Sequence, residues 1–249
     1  MDRALYIAMS GAKQNTLGQA AEANNLANVS TTGFRRDFEQ ARSMPVFGDY
    51  YPTRAYAMTE RPASDFNPGT LIHTGRDLDL AIDNQGWFTV VDGNGNEAYT
   101  RRGDFRVDQF GRLINGEGYQ AMANGGPAVI PPYEKLYIAD DATISIQAQG
   151  DEPAVVADIL QLKMVLPDLS EMEKGEDGLF RTRGQEPGDI QPPDPTIQIV
   201  SGHLEHSNVN AVHSLTQIMS LHRQYELQVK MMKTADENAQ TTASIMDIQ

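Results

Sequence analysis

No proline occurs before Pro45 and none in the 54 residues after Pro195; all thirteen lie between. Proline removes a backbone donor and breaks helices, so a chain without it at either end is free to begin and finish in helix. Charge divides at similar places. Residues 1–44 carry five basic and four acidic side chains, and residues 205–249 carry three and five. The remainder of the formal charge of −14 falls on the middle. Two nearly neutral ends thus flank an acidic centre rich in proline and glycine.

The C-terminal end reads as one long helix, with Ser207 or Asn208 expected to cap it through a side-chain oxygen. Ala211, Leu215, Ile218, His222, Tyr225, Val229, Met232, Asp236, Ala239, Ala243 and Met246 recur at alternating spacings of four and three. That is a seam of period 3.5, sustained for about five heptads. A continuous helix from Val209 to Met246 measures about 57 Å, too long for one small domain to cover. Tyr225 is the last aromatic after Phe180 and is expected to anchor the seam.

At the N-terminal end Leu5, Met9, Ala12, Thr16, Gln19, Ala23 and Leu26 follow the same alternation, with small or polar residues at most places. So thin a seam needs tertiary packing to hold a helix. Its close, ANNLANVSTTGF, carries Asn24, Asn25 and Asn28 around Leu26. Asn24 and Asn28, one turn apart, are expected to pair across an interface and fix its register. Val29 to Thr32 then turn against helix, and Gly33 offers a left-handed stop.

Between the ends, WFTVVDGNGNEAYTRRGDFRVDQFGRLINGEGYQAM alternates apolar and polar residues between glycine-rich turn signals. Trp87, Val90, Tyr99, Phe105, Val107, Leu113 and Tyr119 are its expected core. Further strands are predicted at 136–138, 143–147 and 159–166, and hairpins at this spacing build a small barrel or sandwich. Residues 43–74 show no clean period and are expected to be extended or irregular.

Several function classes are excluded. The acidic balance argues against nucleic acid, which needs a basic surface. The longest apolar runs fall far short of the ~20 residues of a membrane span, and the opening MDRALYIAMSGAKQ lacks the apolar core of a secretory signal. Without cysteine there is no disulfide, thiol catalysis or thiolate metal site. Asp92-Gly93-Asn94-Gly95-Asn96 begins like a calcium loop, but Glu97 and Gly103 stand where glycine and glutamate are required, so a hairpin turn is expected. Four of the five histidines, His203, His206, His213 and His222, fall within twenty residues but lack zinc-site spacing. Asp77, Asp79 and Asp83 alternate with Leu78, Leu80 and Ile82 and read as the solvent face of a strand. Asn28-Val29-Ser30 matches a glycosylation acceptor by chance. No catalytic, cofactor-binding or metal-binding residue is assigned.

AEANNLANVSTTGFRR resembles the N-terminal signature of the flagellar rod and hook proteins of bacteria. LEHSNVNAVHSL, HRQYELQVK and ADE resemble the C-terminal signature of those proteins, and DNQGWFTVVDGNGNEAYTRRGDFRVDQFGRLINGEGYQ resembles their shared β region. The opening residues are similar to the proximal-rod members rather than to distal rod or hook. Asn210, where an acidic residue is common, and His222, where glutamine is common, depart from the pattern.

The resemblance implies an α+β chain whose long terminal helices form a coiled-coil layer around the axis of an assembly, with a central all-β, barrel- or sandwich-like domain outside it. The implied division is 1–33 for the N-terminal helix, 34–75 for a connector, 76–195 for the β domain and 196–249 for the C-terminal helix paired with the first. Subunit packing is assigned to Leu5, Asn24, Asn25, Leu26, Asn28, Gly33 and Phe34, and to Ser207, Asn208, Val209, Leu215, Ile218, Arg223, Tyr225, Glu226, Val229 and Met232. The implied role is a structural subunit of the proximal rod of the basal body, transmitting motor torque across the periplasm. Its partners would be itself, other rod proteins and the flagellar type III export apparatus, with no cleaved signal peptide, small-molecule substrate or membrane insertion. Another axial protein of the same family is the alternative, and a solitary enzyme or binding protein the remote one. Disorder of both ends in the dilute monomer, ordered on assembly, is a further expectation.

Overall fold

The computed structural model describes residues 2–39, 41–47, 54–59, 63–148, 156–184 and 188–246. The chain forms two compact units, one of residues 1–29, 36–65 and 209–249, the other of residues 30–35 and 66–208. The division departs from the expected boundaries in two ways. Part of the expected connector joins the helices, and residues 196–208 belong with the β structure.

In the first unit α1 (Asp2–Ala27) and α2 (Ala211–Met246) lie side by side. Gly11 faces Gln228 and Gly18 faces Leu221, so the helices run antiparallel. On that register the last turns of α2, from about Asn238 to Met246, continue past the start of α1. With them go β1 (Asp37–Phe38), β2 (Ala41–Val46), β3 (Arg54–Thr59) and β4 (Ala63–Ser64). β2 and β3 form an antiparallel pair, as do β1 and β4. Residues expected to be extended or irregular are therefore partly paired strand. Their pairing satisfies backbone groups that no hydrophobic period advertises.

α1 stops at an amide. Asn28 Nδ2 donates to the Asn24 carbonyl at 3.0 Å, filling one of the acceptors a helix end leaves open. α2 starts at another, since Asn210 Oδ1 accepts the His213 amide at 3.0 Å. The cap is thus Asn210, three residues beyond Ser207 and two beyond Asn208. Those two are engaged elsewhere: Ser207 is buried and Asn208 Nδ2 donates to the Asn67 carbonyl.

The second unit holds sixteen short strands among its described residues: β5 (Leu71–His73), β6 (Leu80–Ile82), β7 (Trp87–Val91), β8 (Glu97–Thr100), β9 (Arg106–Val107), β10 (Leu113–Ile114), β11 (Gln120–Ala123), β12 (Gly126–Pro127), β13 (Tyr133–Ile138), β14 (Thr143–Ala148), β15 (Ala157–Gln161), β16 (Met164–Val165), β17 (Met172–Lys174), β18 (Phe180–Thr182), β19 (Ile199–Ser201) and β20 (His203–Glu205). Nine of them make an antiparallel sheet along the path β17-β18-β8-β7-β11-β10-β9, with β12 on β11 and β16 on β7. β13, β14 and β15 form a second sheet, and β6 pairs with β19 as β5 does with β20. The path runs from one edge to the other without closing, so the barrel expected from the hairpin spacing is not formed. The expected core fares better. Trp87, Val90, Tyr99, Phe105 and Leu113 are buried, and Val107 and Tyr119 pack partly buried against their clusters.

Two motif readings resolve here. Asp92 Oδ1 accepts the Asn94 and Asn96 amides, each at 2.8 Å, and its Oδ2 meets Arg181 at 3.0 Å. Its carboxylate braces a hairpin. The aspartate face corrects differently, because Leu80, Ala81 and Ile82 are all buried and Asp79 with them, while Asp77 and Asp83 are exposed. Alternation fails because this strand is covered on both sides.

Candidate functional site

The surfaces that sequence reading assigned to packing begin with the α1–α2 seam. On α2 the half-buried or buried positions are Ala211, Ser214, Ile218, Leu221, Gln228, Met232, Ala235, Ala239 and Thr242. On α1 they include Leu5, Ala8, Ala12, Asn15, Gln19, Glu22 and Leu26. The alternation of three and four is present in both, but every second position is one residue earlier than expected. Leu215, His222, Val229 and Asp236 give way to Ser214, Leu221, Gln228 and Ala235, while Met9, Thr16 and Ala23 give way to Ala8, Asn15 and Glu22.

The glycines of α1 leave room for side chains of α2. A Cβ built at Gly11 would lie 2.9 Å from Gln228 Nε2, and one at Gly18 would lie 3.3 Å from Leu221 Cδ1. Ser214 and the alanines share the seam with Ile218, Leu221 and Met232, while Leu215 and Val229 are turned out. Val212, Leu215 and Met219, spaced i, i+3, i+7, share one stripe of α2 and are 73%, 51% and 51% exposed. Tyr225 is 37% exposed, so the chain's own packing covers only part of its ring. Arg223 and Glu226 are exposed, with Glu226 Oε1 3.5 Å from His222 Nε2. Beside the seam an apolar groove of about 320 Å³ opens between Ile7, Gly11, Ala55, Tyr56, Gln228 and Met231.

Of the three asparagines, the structure gives the buried role to Asn25. Its Nδ2 donates to the Asp37 carbonyl and its Oδ1 accepts the Asp37 amide, both at 2.9 Å. The side-chain amide thus completes Asp37 as a neighbouring strand would. Asn24 is exposed, and the Asn28 amide turns back onto its own helix. Glu22, one turn before Asn25, pairs with Arg36. Burial raises the Glu22 carboxyl, but Arg36, the Ser214 hydroxyl and Asn25 together hold it below the usual carboxylate range. Replacing Asn25 by alanine is expected to destabilise the helical unit by about 1–3 kcal/mol by leaving buried backbone groups unpaired. Amide exchange at Asp37 should accelerate at least tenfold while the Trp87 amide keeps its rate; equal protection of Asp37 in both proteins would refute this role for Asn25.

The end of the N-terminal signature enters the second unit. Gly33 has φ of 67°, its N–H donates to the Glu205 carbonyl at 2.8 Å, and it lies against the Arg101 backbone. Phe34 is covered by the Lys174 ammonium, 3.9 Å from its ring centre. Arg35 and Glu205 are fully buried, with Nη1 and Oε1 2.6 Å apart. Arg101 reaches the other carboxylate oxygen at 3.2 Å and donates to the Asn84 carbonyl at 2.7 Å. Glu205 Oε1 also accepts the Gly69 amide at 2.8 Å. Both guanidinium groups lie over Trp87, 5.9 Å and 5.5 Å from its ring.

Burial is the main force lowering the Arg101 pKa, to about 10; Arg35 adds to it and Glu205 opposes it. Arg101 therefore remains protonated at neutral pH. Two cations share one anion here, so the carboxylate holds the cluster together. Gly33 and Phe34, which sequence reading assigned to subunit packing, lie beside this cluster within the single chain, and Arg35, Arg101 and Glu205 were not singled out. The one available signal was a run of charges inside otherwise apolar signatures.

Comparison with known proteins follows the same segments. Residues 5–35 match a family model described as flagella basal body rod protein, residues 81–151 one described as flagellar hook protein FlgE/F/G D1 domain, and residues 200–245 one described as flagellar basal body rod FlgEFG protein C-terminal. Arg35, Arg101 and Glu205 fall one in each. The flagellar basal-body rod protein FlgF of Escherichia coli strain K12 is 39% identical over 242 residues, 96% of each chain. FlgF of Salmonella typhimurium is 39% identical over 241 residues, again 96% of each. The flagellar basal-body rod protein FlgG of Bacillus subtilis strain 168 is 32% identical over 266 residues, 98% of this chain and 99% of that one.

Proposed function

This chain belongs to the flagellar basal-body rod protein family, and on that premise we propose that it builds the proximal rod through its two terminal helices. It is a structural protein of the basal body and not an enzyme. Among the described residues no helix is long and apolar enough to cross a membrane.

The reading places α1 and α2 in a coiled-coil layer of the assembly. Its partners are further copies of the chain and the neighbouring rod proteins, delivered by the flagellar type III export apparatus. The observation that carries it is the α2 stripe of Val212, Leu215 and Met219, exposed although α1 covers the opposite side. A long helix with apolar residues on two sides is half-partnered. Contacts that repeat without closing extend such a chain into a helical rod that transmits torque. On this reading Asn24 and Asn28 fix the register between subunits; Asn24 is exposed in the single chain, with Asn28 Nδ2 3.4 Å from its Oδ1.

The test is a Leu215→Glu/Met219→Glu double variant. Because both residues are exposed in the single chain, its melting should change by no more than about 0.5 kcal/mol. Incorporation into basal bodies and swimming should fall at least tenfold. A variant that swims normally overturns the interface, and one that melts early shows that these residues serve the single chain.

A further inference from the structure

We propose that His73 and His203 form an open two-histidine site for a divalent transition-metal ion of the zinc and copper class. The fifth histidine of the chain lies far from the other four in sequence, but β5 pairs with β20 so that His73 is directly opposite His203. Their imidazole rings have centroids 4.8 Å apart and planes inclined at 52°. With metal–nitrogen bonds of about 2.0–2.1 Å and ring nitrogens about 1.1 Å from the ring centre, two imidazoles on one ion at about 90–110° have centroids about 4.5–5.2 Å apart. The observed separation falls inside that window.

The second observation concerns the lone pair. His203 Nδ1 lies 2.9 Å from the Ser201 carbonyl oxygen, which only accepts, so Nδ1 carries the proton. In the neutral ring Nε2 is then the free donor to a metal. A ligating histidine is oriented in this way by a carbonyl on its other nitrogen.

The third is space. Gly75 and Gly202 flank the His73 ring; a Cβ at Gly75 would lie 3.9 Å from its Nε2 and one at Gly202 3.7 Å from its Cε1. Both glycines have positive φ, at 74° and 71°, and Gly202 accepts hydrogen bonds from the Thr74 and Gly75 amides. The backbone beside the rings is therefore fixed and carries no side chain.

Among the described residues no group of three or more histidine, cysteine or carboxylate side chains is placed to hold a metal. Water completes the coordination, which keeps the affinity moderate and the ion exchangeable. Imidazole ranks these ions with copper(II) above zinc. A bound ion clips β5 to β20, the strand that ends at Glu205.

The experiment uses the full chain, stripped with chelator and titrated with copper(II) or zinc chloride alone. One ion should bind, and substoichiometric copper(II) should broaden the His73 and His203 ring proton resonances together, before those of His206, His213 and His222. His73→Ala and His203→Ala should each weaken binding at least tenfold, the double variant no further, and His206→Ala less than twofold. Binding within twofold of the parent in His73→Ala overturns the site. So does first broadening at the α2 histidines, or two single variants that each remove an independent half of the binding. If a variant melts early in chelator, the order of broadening in the unaltered chain decides.

Discussion

Replacing Glu205 by alanine is expected to destabilise the β unit by about 3–5 kcal/mol, a large share of what holds a domain together. The loss is more than two salt bridges. Arg35 and Arg101 are both buried and both charged, and Glu205 is the carboxylate between them. Without it two like charges face each other over Trp87 without compensation, and the Gly69 amide loses its acceptor. Glu205→Gln should recover part of the loss, because its one carbonyl oxygen can still accept from Gly69 and Arg35, while the NH2 that faces Arg101 cannot accept and the charge is gone. Arg101 is already pushed down to about 10 by burial and by Arg35. Removing the carboxylate that opposes that shift should lower it further. Chemical denaturation of the full chain, followed by Trp87 fluorescence, measures the effect. A loss under about 1 kcal/mol would mean that water enters the cluster and solvates the arginines.

Gly33→Ala carries the second large effect, expected at about 2–5 kcal/mol. Holding a non-glycine residue at φ of 67° costs about 1–2 kcal/mol on conformational grounds. The added Cβ would also lie 2.4 Å from the Arg101 carbonyl carbon and 2.5 Å from the Arg102 nitrogen. Backbone cannot swing aside as a flexible side chain does, and overpacking of this kind adds about 1–3 kcal/mol. The damage should propagate to the charge cluster, since Arg101 is itself one of its members and Arg35 lies two residues away. Gly93→Ala is the control: nothing stands within 4 Å of its Cβ position, and its φ is not in the left-handed region. It should melt within about 0.5 kcal/mol of the parent. Equal melting of the two variants would show that the approach at Gly33 relaxes freely.

These two residues show where sequence reading succeeded and where it stopped. The left-handed backbone of Gly33 was legible because the signal is local, a glycine after residues that resist helix, although α1 itself ends earlier, at Ala27. The helices, most of the strands and the Trp87 core were legible for the same kind of reason. Proline exclusion, alternation of two and turns at glycine all act within a few residues of one another. The α2 cap was missed by two or three positions, because Ser207, Asn208 and Asn210 offer equivalent oxygens. Only the helix start selects among them.

What the chain determines alone, then, is the repeat of its two helices and the alternation of its strands, since both follow from backbone geometry per residue. Tertiary structure decided the phase. A seam shifted by one residue at every second position has the same three-and-four spacing, and the room that Gly11 and Gly18 leave for Gln228 and Leu221 goes with the phase in which Leu215 and Val229 face outward. It also decided the long-range pairs. Arg35, Arg101 and Glu205 converge, and His73 meets His203, only after strands distant in sequence have paired. A charge or an imidazole leaves no periodic trace of the partner it will meet. Its energy depends on distance and burial, which exist only in the folded chain.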